Sequence, residues 1–288
     1  MTEEKTLHEV LSKVPEVTLL FWIIKIAATT LGETAGDALS MSLNLGYIVS
    51  TGIFAIIFAI FVAAQIKAKK YNAFFYWSTI IATTTLGTTI ADYVDRTLGL
   101  GYLGGSLILF GLLILSLLAW YYSSGSIAVQ SIQSSKSEAF YWLTIMFSQT
   151  LGTALGDWTA DTQGLGYTSA ALIFGGLLLL LTMLYMWTKI SRTFLFWAAF
   201  VLTRPLGAVL GDFLDKPISH GGLDLSRFGA SFILCAFIVF CFVAFKPKAA
   251  AIAFGNVSDN FPDSKKADEY KLQVIKSYFR YAEMSYEE

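Results

Sequence analysis

The stretch Thr29-Thr30-Leu31-Gly32-Glu33-Thr34-Ala35-Gly36-Asp37 places two acidic residues at the end of a long apolar segment, and its pattern recurs. Similar stretches occur at Leu86–Asp92, Leu151–Asp157 and Leu206–Asp212. In every copy the final aspartate follows a tryptophan by fifteen positions. The pairs are Trp22 and Asp37, Trp77 and Asp92, Trp142 and Asp157, and Trp197 and Asp212. A register kept four times indicates an internal repeat.

The composition favours an integral membrane protein. Hydrophobic residues make up 55% of the chain and charged residues 14%, and the mean hydropathy is +0.60. These values, together with long uncharged runs, separate the chain from soluble domains. The net charge of −1 gives no reason to expect a nucleic-acid partner.

Eight segments approach the ~20 residues that cross a bilayer. They lie at about 17–41, 47–66, 73–95, 101–122, 138–160, 167–188, 193–214 and 227–246. We therefore predict an all-α, polytopic membrane protein with eight transmembrane helices. They form four helical-hairpin repeats at 17–70, 72–125, 137–190 and 192–246.

The two ends are more polar. Residues 1–16 carry apolar residues at helical spacing among charges, which predicts a short amphipathic helix on the membrane surface, ending at Pro15. Residues 247–288 are interpreted as a cytoplasmic tail, with an amphipathic helix over 263–283.

The distribution of basic residues predicts the orientation. Lysines and arginines follow the even-numbered segments, whereas the loops after odd-numbered segments mix basic residues with aspartates. The positive-inside rule then places both termini in the cytoplasm, and we expect a bacterial inner membrane. Two crossings per repeat give all four repeats the same orientation.

A polar stripe runs along the odd-numbered segments. Spacing of four residues places Lys25, Thr29, Glu33 and Asp37 on one helix face. The polar residues at equivalent positions of the other repeats are Thr84, Thr88, Asp92, Gln149, Thr153, Asp157, Arg204 and Asp212. Because a charge facing lipid costs at least ~2.5–3.5 kcal/mol, the odd helices should line a central axis.

Carboxylates outnumber cations on this stripe. The candidate cation or proton ligands are Glu33, Asp37, Asp92, Asp157 and Asp212. We expect Lys25 to pair with Glu33 and Arg204 to pair with an aspartate. Carboxylate and hydroxyl oxygens suit Mn²⁺, Mg²⁺ or Ca²⁺, whereas buried carboxylates can also exchange protons.

Plainer interpretations exist for the same residues. The outer aspartates could terminate their helices near the headgroups, and the glycines could serve packing alone. The repeated tryptophans are interpreted as anchors at the membrane interface. The loop residues Asp95, Asp161 and Asp215 are interpreted as solvated.

Three motifs carry a family resemblance. Val14-Pro15-Glu16-Val17-Thr18, Phe21-Trp22-Ile23-Ile24-Lys25 and Gly32-Glu33-Thr34-x-Gly36-Asp37 resemble a bacterial family of membrane proteins. Its members are described as four tandem two-helix repeats of unknown function, each with a tryptophan. The acidic motif also looks loosely like the Glu-x-Gly-Asp signature of small Mn²⁺/Ca²⁺ antiporters, with a spacing one residue longer.

These patterns predict a transporter of a small inorganic cation, divalent and of the Mn/Mg/Ca class, with proton coupling left open. Glu33 and Asp37 are the expected metal ligands. The supporting residues are Lys25, Thr29, Thr84, Thr88, Gln149, Thr153 and Arg204. The alternatives are a transporter of a small organic solute and a sensory or structural membrane protein. No catalytic motif or cofactor site is recognised, so an enzyme is not expected.

The repeats are not equivalent. Repeat one alone has Lys25 and Glu33, and repeat four alone has Arg204 on the stripe. If four hairpins close into a ring, the first and fourth repeats become neighbours. Arg204 is then predicted to be a tethered counter-charge that competes with the cation for Glu33 and Asp37.

Overall fold

The computed structural model describes residues 11–68, 70–129, 132 and 134–251, and eight long helices run through this part of the chain. They are α1 (Leu19–Asp37), α2 (Gly46–Lys67), α3 (Ala73–Asp92), α4 (Gly101–Ser124), α5 (Ser135–Asp157), α6 (Gly166–Trp187), α7 (Arg192–Asp215) and α8 (Arg227–Phe245). The all-α prediction is confirmed, and the helices begin and end within a few residues of the predicted segments.

The odd-numbered helices form a closed inner ring. In this ring α1 packs on α3, α3 on α5, α5 on α7, and α7 returns to α1. Each outer helix packs on the inner helix of the following repeat: α2 packs on α3, α4 on α5, α6 on α7, and α8 on α1. Each repeat therefore shields the inner helix of the next repeat, while its own two helices touch little. The predicted inner position of the odd helices is confirmed.

Within the described residues, six helical spans are long and apolar enough to cross a membrane, judged by length and composition. They are Leu19–Ser42, Gly46–Lys67, Gly101–Ser124, Gly166–Trp187, Arg192–Asp215 and Arg227–Phe245. The inner helices α3 and α5 fall outside this set although eight spans were predicted. Both carry many threonines, serines and other polar residues, which the ring buries. Low hydropathy here therefore reflects polar packing inside the bundle.

The turns between inner and outer helices have a shared geometry in three repeats. Each inner helix continues into one π-helical turn, at Ala38–Ser42, Tyr93–Thr97 and Trp158–Thr162. The Leu-Gly-Tyr motif follows, and its glycines Gly46, Gly101 and Gly166 have φ of 73°, 69° and 71°. Glycine is needed there because left-handed backbone strains other residues. Repeat four lacks this turn and has a 3₁₀ turn at Ile218–His220 instead.

The N-terminal prediction is wrong where it can be compared. Leu11–Pro15 is a β-strand, β1, paired antiparallel with β2 (Ala249–Ala251), and is not part of a helix. Ser12 and Val14 are buried, which is the alternation of a strand. Helical periodicity misses this because the pairing partner lies at the other end of the chain. Residues 1–10 and the proposed helix at 263–283 lie outside the described residues.

Glycines set the spacing of the inner ring. A Cβ at Gly32 would overlap Thr84 of the next inner helix, one at Gly152 would overlap Arg204, and one at Gly207 would overlap Thr29. At Gly87 it would lie 2.9 Å from the backbone nitrogen of Thr150. Small residues let helix backbones approach closely, and here each glycine receives the next helix in the ring.

We expect Gly87→Ala to lower the thermal unfolding midpoint in detergent. The backbone of α5 has to move away, and overpacking typically costs ~1–3 kcal/mol. The matched control is Gly111→Ala on α4, where nothing lies within 4 Å of the added methyl group. That control should be neutral or stabilising by up to ~1 kcal/mol, since alanine favours helix over glycine. Equal midpoints for both variants would contradict the close packing of α3 and α5.

Candidate functional site

The inner ring stacks the stripe residues in four layers, because equivalent residues of the four repeats face the same axis. We name the layers by their first or most charged member. The lysine layer is Lys25, Ile80, Ile145 and Phe200; the arginine layer is Thr29, Thr84, Gln149 and Arg204; the glutamate layer is Glu33, Thr88, Thr153 and Ala208; and the aspartate layer is Asp37, Asp92, Asp157 and Asp212. All sixteen residues are buried.

Arg204 is the centre of the ring. Its Nη2 lies 2.8 Å from Oε2 of Glu33 and 2.6 Å from Oγ1 of Thr88, and it also donates to Thr153. One nitrogen of α7 therefore contacts α1, α3 and α5 together. The predicted pairing of Arg204 with an aspartate is wrong, because Glu33 is its partner. Glu33 also accepts a hydrogen bond from Thr88 at 3.2 Å.

Lys25 does not pair with Glu33. Its Nζ lies 4.1 Å from the centroid of the Phe200 ring, and this buried nitrogen has no hydrogen-bond partner among the described residues. The two residues lie eight positions apart on α1, and Arg204 already occupies the glutamate. A cation over an aromatic face is stabilised by the ring quadrupole, but this contact compensates no charge.

Three carboxylates converge where the first and last inner helices meet. One oxygen from each of Glu33, Asp37 and Asp212 lies within 4.8 Å of the others, and all three residues are buried. The predicted proximity of Glu33 and Asp37 is thus seen, and Asp212 joins them. Oδ1 of Asp37 has no hydrogen-bond partner in the described part of the chain.

Two cations from the loops bridge the aspartate layer in pairs. Nζ of Lys216 lies 3.1 Å from Oδ2 of Asp37 and 3.1 Å from Oδ1 of Asp212. Arg96 contacts Oδ1 of Asp92 at 3.0 Å and Oδ2 of Asp157 at 3.4 Å. Asp92 and Asp157 therefore form a second pair, separate from the three converging carboxylates. Both cations sit between neighbouring repeats.

The carboxylates keep these loop cations charged. Burial by itself lowers the pKa of the Lys216 ammonium, but Asp212, Asp37 and Asp215 together raise it above its ordinary value. Burial and carboxylates act in the same opposed way on Arg96, and the carboxylates again prevail. Arg96 also donates to the hydroxyls of Tyr47 and Tyr102 at 3.2 and 3.1 Å.

Sequence reasoning missed these loop contacts. Arg96 follows Asp92 by four residues and Lys216 follows Asp212 by four, a spacing that places opposite charges together on a helix. The interpretation of the loop aspartates as solvated is also wrong for two of the three: Asp95 and Asp215 are buried, whereas Asp161 is exposed. Arg227 reaches Asp215 at 3.1 Å and Asp37 at 3.6 Å.

The repeated tryptophans close the opposite end of the ring. Trp77 and Trp142 are 1% exposed and Trp197 is 5% exposed, so their prediction as interface anchors is wrong. They pack with Tyr76 and Tyr141 in an aromatic cluster, whereas Trp22 is half-buried at its edge. A surface pocket beside this cluster is lined by Phe21, Trp77, Lys246 and other residues, and its lining contains none of the carboxylates of the polar stripe.

The remaining supporting residues differ in their contacts. Oγ1 of Thr29 donates to the backbone oxygen of Thr203 on α7 at 3.2 Å and to its own helix. Thr153 bonds to the backbone of Gln149 besides accepting from Arg204. Thr84 Oγ1 and both amide atoms of Gln149 lack hydrogen-bond partners among the described residues.

Fold and site together define a class: a four-repeat helical protein with helices fit to span a membrane and a charged, buried centre. The chain belongs to the family described as Repeat of Unknown Function (DUF347), whose profile matches residues 20–71, 75–126, 140–191 and 195–246. These four matches confirm the internal repeat. No curated protein and no solved structure matches the chain.

We expect Arg204→Met to destabilise the protein by ~3–5 kcal/mol, because it leaves Glu33 buried without its partner. Changing Glu33 to Gln as well should recover much of that loss, since neither member of the pair is then left as an unpaired charge. The control is Arg192→Met, an exposed arginine at the start of α7. Unfolding midpoints in detergent measure all three, and purely additive losses in the double variant would argue against the pair.

Proposed function

We propose that the protein is a transporter of a small inorganic cation, divalent and of the Mn/Mg/Ca class, rather than an enzyme. The observation that carries the proposal is the convergence of Glu33, Asp37 and Asp212 inside the ring. Their carboxylates are the proposed cation ligands. Arg204 and Lys216 are proposed to compete with the cation for the same oxygens.

The spacing of the carboxylate oxygens supports a single bound ion. Oxygens bind Ca²⁺ at ~2.3–2.6 Å, so two ligands on opposite sides of the ion lie up to ~5 Å apart. The three oxygens already lie within 4.8 Å of one another. Hard oxygen ligands without histidine or cysteine favour such cations over Zn²⁺ or Cu⁺.

The geometry also supplies a means of exchange. The Lys216 ammonium lies between Asp37 and Asp212, in the position that a bound cation would take. Lys216 belongs to the loop after α7 and is partly exposed, so it can withdraw toward solvent with a small change of the loop. An arriving cation then replaces it without leaving the carboxylates uncompensated. Proton exchange at the same carboxylates is the proposed coupling.

A small organic solute with an anionic group is the second candidate. Lys25 and two nitrogens of Arg204, Nε and Nη1, favour it, because they are buried and have no hydrogen-bond partner among the described residues. Uptake assays that compare divalent cations with organic acids separate the two candidates. Nothing in the described residues specifically favours a sensory or structural role.

The proposed location is a bacterial inner membrane with both termini in the cytoplasm. The support is the excess of lysine and arginine after the outer helices, as at Lys67, Lys70, Lys189 and Arg192. The carboxylate end of the ring would then face outward and the aromatic cluster inward. The six apolar spans of the described residues support a membrane location.

Cysteine labelling tests the orientation. In a variant with Cys235 and Cys241 replaced by serine, a membrane-impermeant maleimide should label Thr97→Cys in intact cells. Ser191→Cys should be labelled only after permeabilisation, since it lies on the opposite side. Both positions are exposed, so access to the reagent is matched. Labelling of Ser191→Cys alone in intact cells would reverse the orientation.

Glu33→Gln and Asp212→Asn should each abolish transport, because each removes a charged ligand from the converging carboxylates. Asp92→Asn should only weaken it, because Asp92 pairs with Arg96 on the other side of the layer. Asp161→Asn is the matched control, being an exposed aspartate of the same repeat series. The measurement is the cellular content of Mn, Mg and Ca at equal expression in a deletion strain.

Two results would contradict this assignment. If the wild-type protein changes none of the three metals, cation transport is wrong. If Asp92→Asn is as damaging as Glu33→Gln, the repeats contribute equally and the asymmetric site is wrong.

A further inference from the structure

Acidic and basic residues occupy different layers of the ring. The aspartate layer has four carboxylates and two bridging cations, Arg96 and Lys216. Deeper in the ring lie two basic residues, Lys25 and Arg204, and one carboxylate, Glu33, which pairs with Arg204. Lys25 is thus left without a carboxylate or hydrogen-bond partner among the described residues.

Unused hydrogen-bond donors occur on Lys25 and in the arginine layer. They are Lys25 Nζ, Arg204 Nε and Nη1, Gln149 Nε2 and Thr84 Oγ1, and none has a partner in the described part of the chain. All four residues are 0% exposed. Buried polar groups are nearly always hydrogen-bonded, so a cluster of unused donors points to a ligand.

The register of the helices brings these donors together. Thr84, Gln149 and Arg204 are equivalent residues of three repeats and belong to one layer. Lys25 lies one turn away, above Phe200, which itself precedes Arg204 by one turn of α7. Glu33 occupies Nη2 of Arg204, and the guanidinium nitrogens Nε and Nη1 are left without partners among the described residues.

We propose that Lys25, Arg204, Gln149 and Thr84 bind a small inorganic anion of the halide class inside the ring. An anion there accepts hydrogen bonds from the unused donors and supplies the counter-charge that protonated Lys25 lacks. It is a second site, distinct from the carboxylates proposed for the cation, and it exists whether or not the protein carries that cation.

The packing of this layer restricts the size of the ligand. The same residues pack against the glycines of neighbouring inner helices: Thr84 lies against Gly32, Gln149 against Gly87, and Arg204 against Gly152. Helix backbones at these crossings cannot separate without breaking the ring. A monatomic anion needs the least room, whereas an organic acid needs the helices to open.

Binding of radioactive chloride to the full-length protein in detergent tests the site directly. The purified protein is placed in sodium gluconate, and labelled chloride is added at constant ionic strength. The wild type should show one saturable site, and unlabelled bromide should displace the label. Lys25→Met should weaken binding at least tenfold, whereas Lys136→Met, the same change at an exposed lysine, should leave it unchanged.

Gln149→Glu keeps the test decisive if Lys25→Met fails to fold. The new carboxylate would act as a tethered anion next to Lys25 and Arg204. It should abolish chloride binding, and its unfolding midpoint in gluconate should equal or exceed that of the wild type. The wild-type midpoint, in contrast, should rise when chloride replaces gluconate.

Several results would overturn the proposal. They are the absence of saturable chloride binding by the wild type, unchanged binding by Lys25→Met, or a Gln149→Glu protein less stable than the wild type in gluconate. Displacement of the label by acetate but not by bromide would overturn the halide class and favour a carboxylate ligand. None of these readouts depends on metal transport, so failure here is distinguishable from failure of the proposed function.

Discussion

A single guanidinium nitrogen connects the four inner helices. Nη2 of Arg204 contacts a carboxylate on α1 and hydroxyls on α3 and α5, and all these groups are buried. Away from water each of these groups requires a hydrogen-bond partner. The helices must therefore be positioned along the ring axis so that all three groups reach this one nitrogen. Buried ion pairs add little net stability compared with apolar packing. We interpret this pair as a device that fixes the register of the ring.

The glycines make that register attainable. An arginine that reaches three other helices requires close helix axes, and the Leu-Gly pairs place a glycine against the next stripe residue in each repeat. Charge and packing are therefore coupled in the same layer. The outer helices contribute differently, because they are mostly apolar and make few polar contacts with the ring. Examples are the hydrogen bond between Ser231 and Thr34 and that between Ser116 and Thr144.

The architecture can be predicted from the sequence, but the partners of the buried charges cannot. Equal spacing from tryptophan to aspartate predicts four inner helices, and four-residue periodicity predicts which face of each is buried. Neither pattern states which partner a charge will have across the ring. Glu33 thus pairs with an arginine 171 positions away, and Lys25, on the same helix, has no hydrogen-bond partner in the part of the chain that the structure describes.

Other errors have similar physical causes. An aromatic residue near a helix end fits both a membrane interface and a protein core, and Trp77 and Trp142 belong to the core. The strand Leu11–Pro15 depends on a partner near the end of the described chain, which local periodicity does not reveal. Arg96 and Lys216 each follow an aspartate by four residues, and this spacing indicates an ion pair on a helix. Their contacts are not predicted from the sequence because charged loop residues are usually solvated.

The offset between inner and outer helices has a consequence for biosynthesis. Helix α1 carries Lys25, Glu33 and Asp37 and enters the membrane first, yet α7 and α8, which neutralise and cover it, are made last. Through most of translation this helix, with its three charged side chains, is therefore without its partners. The ring can close only after α7 has been made.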